Sequence, residues 1–376
     1  MKTLRQRMYN ILEENREFAK MARFGGYSHG DKLKKVLMNE QSEIKNFDCF
    51  VKIVHHMFPE EKFELMVDLS KSLNPEKQTA RYMLEYLTLY KLRQAKIELI
   101  ERMKGSKNDE WAIVYEIDDK NAIGILDDRE TIDLLNSKNF NTIEMKVFSK
   151  LVMYYCYESM RDKTMMELQL RNIGEEIEKI KNIFCKSTYF GRAYVSGKTV
   201  SLYNGDIQKV KEDLFLLKHT LEPVRAAAYL TIGNAFMLTN PAQAEVLLLE
   251  GLDYCSDRKH IEYEIQNSLN FLYVLNGDFD KYKSNGNLSN DLFYYSMLKK
   301  NREAHIIIEA IKEDGLSDLQ KGFHYYYLGI LNDDEEKLYQ SIYHFNECEE
   351  NYFKKLPILK LQSMGEKSYK LQVLSA

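Results

Sequence analysis

Long amphipathic runs, apolar at every third or fourth position and interrupted only by short polar breaks, leave this chain few choices other than helices. Strand-like alternation is scarce, and only 17 Gly and 5 Pro punctuate 376 residues. The expected fold class is therefore all-α. The length exceeds what one compact core holds, so several domains or an extended repeat array is expected. Two starts stand out: Pro59 with Glu60 and Glu61 opens one helix, and Asn74 caps another with Pro75 at its first position.

The later runs repeat. Tyr229-x-x-Ile232-Gly233-x-x-Phe236, followed by Ala244, Leu248 and Gly251, fits the tetratricopeptide pattern with one residue deleted. Tyr325-x-x-Leu328-Gly329, followed by Ser341, Phe345 and Cys348, fits it in register. Asn204-Gly205-Asp206 and Asn276-Gly277-Asp278 read as turns between paired helices, and Ala304, Ile308 and Ile311 as the second helix of another pair. A helical pair of this kind cannot bury its apolar face alone, so neighbours are expected to stack into a superhelix with a concave face.

The first forty residues differ from the rest in charge. They hold nine Lys and Arg against five acids, a net +4, whereas the whole chain is −4. A basic head on an acidic body suits a phosphate-facing surface. Within it, residues 17–38 read as two short helices broken at Gly25-Gly26. Ser28 is the expected cap of the second, with Asp31 completing a capping-box-like pair. Leu33, Val36 and Leu37 then share one face, leaving Asp31, Lys32, Lys34 and Lys35 opposite. Phe18, Met21 and Ala22 offer a matching face on the first helix, and residues 47–58 a third helix to close a small core. This is the division of labour of a helix-turn-helix DNA reader. Lys20, Arg23, Ser28, His29, Lys32, Lys34 and Lys35 are the candidate DNA contacts.

Other function classes find little support. No window approaches eighteen apolar residues and no signal-like leader is present, so no membrane partner and a cytoplasmic location in a bacterial host cell are expected. Five widely spaced cysteines (Cys49, Cys156, Cys185, Cys255, Cys348) form no Cys-x-x-Cys pair and read as reduced core residues. The eight histidines make no metal motif, and His55-His56 reads as structural. Phosphate-binding, dinucleotide and nucleophile-elbow motifs are all missing. The expectation is a non-enzyme with no catalytic residue, metal or cofactor.

The strings Val51-Lys-Ile-Val54, Phe58-Pro59, Glu64-Leu-Met66, Ala80-Arg81, Leu84-Glu85-Tyr86, Tyr229-Leu-Thr-Ile-Gly-Asn234, His324-Tyr-Tyr326 and Leu356-Pro-Ile-Leu-Lys-Leu-Gln-Ser-Met-Gly-Glu366 carry a resemblance. Over about residues 18–375 the chain resembles the arbitrium receptors, the AimR type of transcription regulator from Bacillus phages. The resemblance implies a homodimer with an N-terminal helix-turn-helix and a tetratricopeptide-like superhelix. Such a protein binds a double-stranded DNA operator and activates a gene promoting lysis. A short imported signalling peptide, bound in the concave face, shuts that activity off and favours lysogeny.

The implied domains are 1–58 for DNA binding, 59–355 for repeats and peptide sensing, and 356–376 for a dimerisation helix. That helix would run over Leu356–Leu374, with Leu359, Leu361, Leu371 and Leu374 as apolar candidates. At the peptide site the chain departs from the family. Thr199 and Tyr203 stand where an asparagine pair is usual, and Pro223 where an arginine is common, with Arg225 two residues later. Asn234, the Phe271-Leu272 pair and the acid Glu350 are retained. These departures leave open a different peptide, a weakened response, or a paralogue that binds DNA without peptide response. A Rap-type interaction regulator, whose head touches protein and not DNA, is the alternative reading.

Overall fold

The computed structural model describes residues 2–40, 42–203, 220–255 and 259–367. Among them the regular structure is entirely helical, with twenty α-helices and two short 3-10 turns. Two compact units are present. The first holds the described residues up to Ala193 and the stretch ending at Val224; the second runs from Arg225 onward and takes in the last turns of the helix that begins at Ile183.

In the first unit, α1 (Leu4–Glu14), α2 (Phe18–Gly25), α3 (Gly30–Met38) and α4 (Phe47–Met57) form the head. Next come α5 (Lys62–Ser72), α6 (Gln78–Leu89), α7 (Arg93–Met103), α8 (Asp109–Ala122), α9 (Asp128–Asn136), α10 (Ile143–Ser159) and α11 (Lys163–Ile177). Successive helices pack on one another, α6 on α7, α7 on α8 and α10 on α11. One continuous core runs from Met8 and Leu33 through Phe47 and Leu84 to Trp111, Phe148 and Phe184. Phe184 lies near the start of α12 (Ile183–Tyr203).

A polar group is sealed inside this core. Arg192 of α12 donates from Nε to Glu85 of α6 at 2.7 Å, and Tyr115 of α8 donates to the other Glu85 oxygen at 2.7 Å. The Tyr115 and Tyr189 hydroxyls are 3.2 Å apart. Burial pushes both phenols well above their ordinary pKa. Burial also opposes the charge on Arg192, but the Glu85 carboxylate overrides it and holds the guanidinium protonated.

The second unit contains the repeats. Helices α13 (Glu222–Phe236) and α14 (Pro241–Leu252) form the first expected hairpin, α18 (Asp318–Asn332) and α19 (Glu335–Glu347) the second. The pattern glycines sit at the closest approach in each. A methyl group on Gly233 would fall 2.6 Å from Leu248 Cγ, and one on Gly329 would fall 2.6 Å from Leu338 Cδ2. Ser341 secures the second hairpin by donating to Gly322 O at 2.7 Å. Between them lie α15 (Lys259–Asn276), α16 (Leu288–Met297) and α17 (Asn301–Ala310). Helix α15 stops at Asn276-Gly277 as its sequence suggests, and Ala304 is the buried contact of α17. The matching Asn204-Gly205-Asp206 turn lies outside the described residues.

Three boundaries differ from expectation. Pro59 belongs to a turn, and α5 starts only at Lys62. Asn74 caps no helix: its Oδ1 accepts from Glu76 N within a turn, and α6 begins at Gln78. The amides of Gln78 and Thr79 are satisfied instead by Glu43, at 3.1 and 3.0 Å, from 35 and 36 residues away. The C-terminal helix is also shorter than Leu356–Leu374. Helix α20 (Lys355–Ser363) closes at Gly365, whose φ of 95° is open to glycine, and Glu366 N returns to Leu361 O at 3.1 Å.

Candidate functional site

The head is built around a glycine turn. Helix α2 ends at Gly25, and Gly26 takes the left-handed φ of 96°, its amide returning to Ala22 O at 3.0 Å. Gly25 itself is pressed against α4: a methyl there would lie 2.5 Å from Ile53 Cδ1. Helix α3 then starts at Gly30, where a side chain would press on the α2 backbone, 3.2 Å from Ala19 N. Leu33 and Leu37 are buried and Val36 partly so, packing with Met21 and Ala22. The small core read from the sequence is therefore present.

Ser28 is not the cap of α3. His29 occupies that position without a side-chain hydrogen bond, because the helix starts two residues beyond Ser28, where Gly30 permits the close approach. Asp31 does lie in the first turn, where its charge favours the helix terminus. Ser28 and His29 are exposed in the turn.

The candidate cations separate into two groups. Lys20 pairs with Glu17 at 2.7 Å. Lys34 pairs with Glu13 of α1 at 3.2 Å and lies over the Tyr9 and Phe18 rings, which draws it away from the outer face. The hydrogen bond that Lys34 donates to the Glu13 carboxylate holds the Lys34 pKa above its ordinary value. Arg23, Lys32 and Lys35 remain exposed, with no ion pair among the described residues.

Helix α1 is set by a Thr3/Gln6 capping box. It carries Arg5, which is 1% exposed and belongs to the interior although it counts toward the basic head. Its guanidinium donates to Val36 O, Asn39 O, Ser42 Oγ and Ser42 O at 2.7–3.0 Å. It thus closes the C-terminus of α3, and burial pulls its pKa below the ordinary value. The only sequence signal was the Thr-x-x-Gln spacing that opens the helix.

The residues offered for a peptide site are dispersed in character. Thr199 and Tyr203 lie on α12, but their side chains are outside the described residues. Arg225, in the first turn of α13, stacks on Tyr254 at 4.8 Å. Asn234, near the end of α13, has its Oδ1 enclosed without a hydrogen-bond partner among the described residues. Phe271 and Leu272 are core residues in this conformation: Leu272 is sealed, and Phe271 packs on the rings of Phe293, Phe323 and Phe353. Glu350 is buried too and acts as a turn cap, accepting from Tyr352 N and Phe353 N at 2.9 and 3.0 Å. Their polarity was legible; their orientation was set by the helices around them.

On α20, Leu361 is buried and Leu359 is 58% exposed, so Leu359 alone offers apolar surface from this helix pair of candidates. Leu371 and Leu374 lie outside the described residues. His55 fills a structural role, bonded to the Tyr86 hydroxyl at 2.9 Å among the rings of Phe63 and Tyr90. All five cysteines are free thiols, three of them buried. Among the described residues no His, Cys, Asp or Glu cluster could hold a metal ion, and no helix is long and apolar enough to cross a membrane.

A family model described as AimR transcriptional regulator-like matches residues 62–363. The AimR transcriptional regulator of Bacillus phage phi3T is 25% identical over 381 residues, covering 96% of this chain and 98% of that one. The solved structure of selenomethionine phAimR superposes with a TM-score of 0.85 at 23% identity, covering both chains in full. That of a phAimR–ligand complex gives 0.67 over 86% of this chain and 99% of the other, also at 23% identity.

Proposed function

From the premise that the chain belongs to the AimR transcriptional regulator-like family, we propose that it is a dimeric DNA-binding regulator of a phage lysis–lysogeny decision, controlled by a short peptide. Helices α2 and α3 act as the helix-turn-helix, and α3 enters the major groove. The observation that carries this reading is the outer face of α3: Lys32 and Lys35 project from a helix whose other face, Leu33 and Leu37, is locked into the head. Charges left without acid partners are those that can release counterions on meeting phosphate.

The Lys32→Ala/Lys35→Ala double variant is expected to bind duplex DNA more weakly whatever its sequence. The salt dependence should flatten by about two, roughly 0.9 for each lost phosphate contact. Footprinting over phage and host promoters that finds no protected site at modest ionic strength would overturn the DNA reading and leave a protein-interaction module.

The peptide site belongs to the repeat unit, with Thr199, Tyr203, Arg225 and Asn234 on two of its helices. The enclosed Oδ1 of Asn234 supports this assignment, since a peptide N–H would satisfy it. A solved phAimR–ligand complex adds support from a relative. Dimerisation through α20 and the chain beyond it, with Leu359 exposed, would fix the spacing of two recognition helices. A peptide that prefers one arrangement shifts the population toward it.

Titration with candidate hexapeptides is expected to raise the thermal midpoint. At a hundredfold excess over Kd the native state gains about 2.7 kcal/mol, a rise of about 5–10 °C for a unit of this size. A protein that binds DNA but shows no rise with any peptide encoded beside its gene is a constitutive paralogue.

A further inference from the structure

The geometry points to α4 as part of the DNA footprint, with Lys52 a phosphate contact held in place by the exposed ring of Phe24, on which His56 packs. This extends the helix-turn-helix reading to a helix outside the motif and rests on that reading.

Phe24 ends the exposed stripe of α2 that contains Lys20 and Arg23, immediately before the Gly25-Gly26 break. It is 39% exposed, a large ring facing solvent on a basic head. Two residues of α4 meet it there: the His56 ring at 4.3 Å between centroids and Lys52 Nζ at 4.8 Å from the ring centre. Lys52 and His56 are one turn apart on the outer face of α4, and both are exposed. In a helix-turn-helix the first helix crosses the phosphate backbone while the second lies in the groove. Groups joined to the last turn of α2 are therefore placed beside the backbone that α2 crosses.

The charge partners decide which cations are available. Lys20 and Lys34 are each neutralised by an acid of the head, Glu17 and Glu13. Lys52 forms no ion pair among the described residues and is held by an aromatic face instead. A cation–π contact orients the ammonium without cancelling its charge, so little order remains to be imposed when a phosphate arrives. Its position relative to the turn is also fixed, because Gly25 lets α2 approach α4 so closely that a methyl would lie 2.5 Å from Ile53 Cδ1 and 3.1 Å from Cys49 O. The footprint assigned on these grounds is Arg23, Lys32, Lys35 and Lys52, with Lys20 and Lys34 outside it.

The test uses the full-length protein and a mixed-sequence duplex of about 40 base pairs, because phosphate contacts do not depend on sequence. Affinity is measured across a salt series. Lys52→Ala is expected to weaken binding about three- to tenfold at low salt and to reduce the salt slope by about 0.9. Lys52→Arg should restore both, and Lys20→Ala should change neither. A purely structural role for Lys52 would lower the melting temperature and leave the slope intact, which overturns the inference. If Lys52→Ala is silent while Lys32→Ala/Lys35→Ala flattens the slope, the α4 assignment fails and the helix-turn-helix reading stands. If the wild-type protein shows no salt-dependent binding, both fail together.

Discussion

Glu85→Ala is expected to destabilise the N-terminal unit by about 3–5 kcal/mol, the cost of removing one partner from a buried ion pair. Arg192 would keep its charge in a site already closed by the rings of Tyr115, Phe148 and Tyr189, and the Tyr115 hydroxyl would lose its acceptor. Solvent reaches Glu85 at only 2% of its surface, so water cannot take over the carboxylate's role without opening the core. For a unit of about two hundred residues that cost is a fall of roughly 6–20 °C in its melting transition, measurable by calorimetry on the whole protein. The pair itself need not be the favourable arrangement: a Glu85→Leu/Arg192→Met double variant should recover most of the loss, since apolar replacement of both partners removes the stranded charge. A single Glu85→Ala loss below about 1 kcal/mol would show that the network is solvated in solution.

Arg5→Met should be nearly as damaging, and its effect should fall on α3. The guanidinium donates to the carbonyls of Val36, Asn39 and Ser42. Val36 O and Asn39 O also accept from Ser42 Oγ and Ser42 N, at 3.4 and 3.0 Å, so the Ser42 carbonyl depends most on it. Leaving a buried acceptor unmet costs about 1–3 kcal/mol and the other two carbonyls lose their shorter bonds, partly offset by release of the desolvated charge, so a net loss of about 2–3 kcal/mol is expected. Arg5→Lys should not rescue it, because one ammonium cannot span the same fan of acceptors. Hydrogen exchange resolves the outcome by position. Protection should be lost first in the C-terminal turn of α3 and in the segment around Ser42, while the repeat helices from Arg225 onward stay protected. Uniform loss across both units would contradict a role confined to α3.

Arg5 also shows what composition conceals. It counts among the nine basic residues that mark the head as phosphate-facing, yet it is an interior cap. Lys20 and Lys34 count as well, and both are paired. The charge imbalance of residues 1–40 was a property of the sequence. Which of its members stay available depends on acids and carbonyls brought close by packing.

The helix ends teach the same lesson. Asn74-Pro75 is a good local start signal, but α6 is capped by Glu43. The approach to α10 is held by Glu110, which accepts from Asn141 N at 2.7 Å. The end of α18 is held by Lys299, which donates to Ile330 O at 2.5 Å. Each partner lies about thirty residues from the end that it satisfies. A local motif reading sees at most four or five residues on either side, so such caps are invisible to it. Phe271, Leu272 and Glu350 fail as open ligand groups for a related reason: neither an apolar side chain nor an acid states which way its helix will face.

What the sequence alone determined was the class and the pairing. Apolar residues at helical spacing made the chain all-α, and Gly233 and Gly329 marked where helices touch, because both signals act over one or two turns. Gly25-Gly26 likewise set the break in the head. The tertiary structure decided burial, charge pairing and capping, and with them which cations of the head remain exposed. Those properties follow from contacts between residues far apart in the chain, and only the packed helices bring them together.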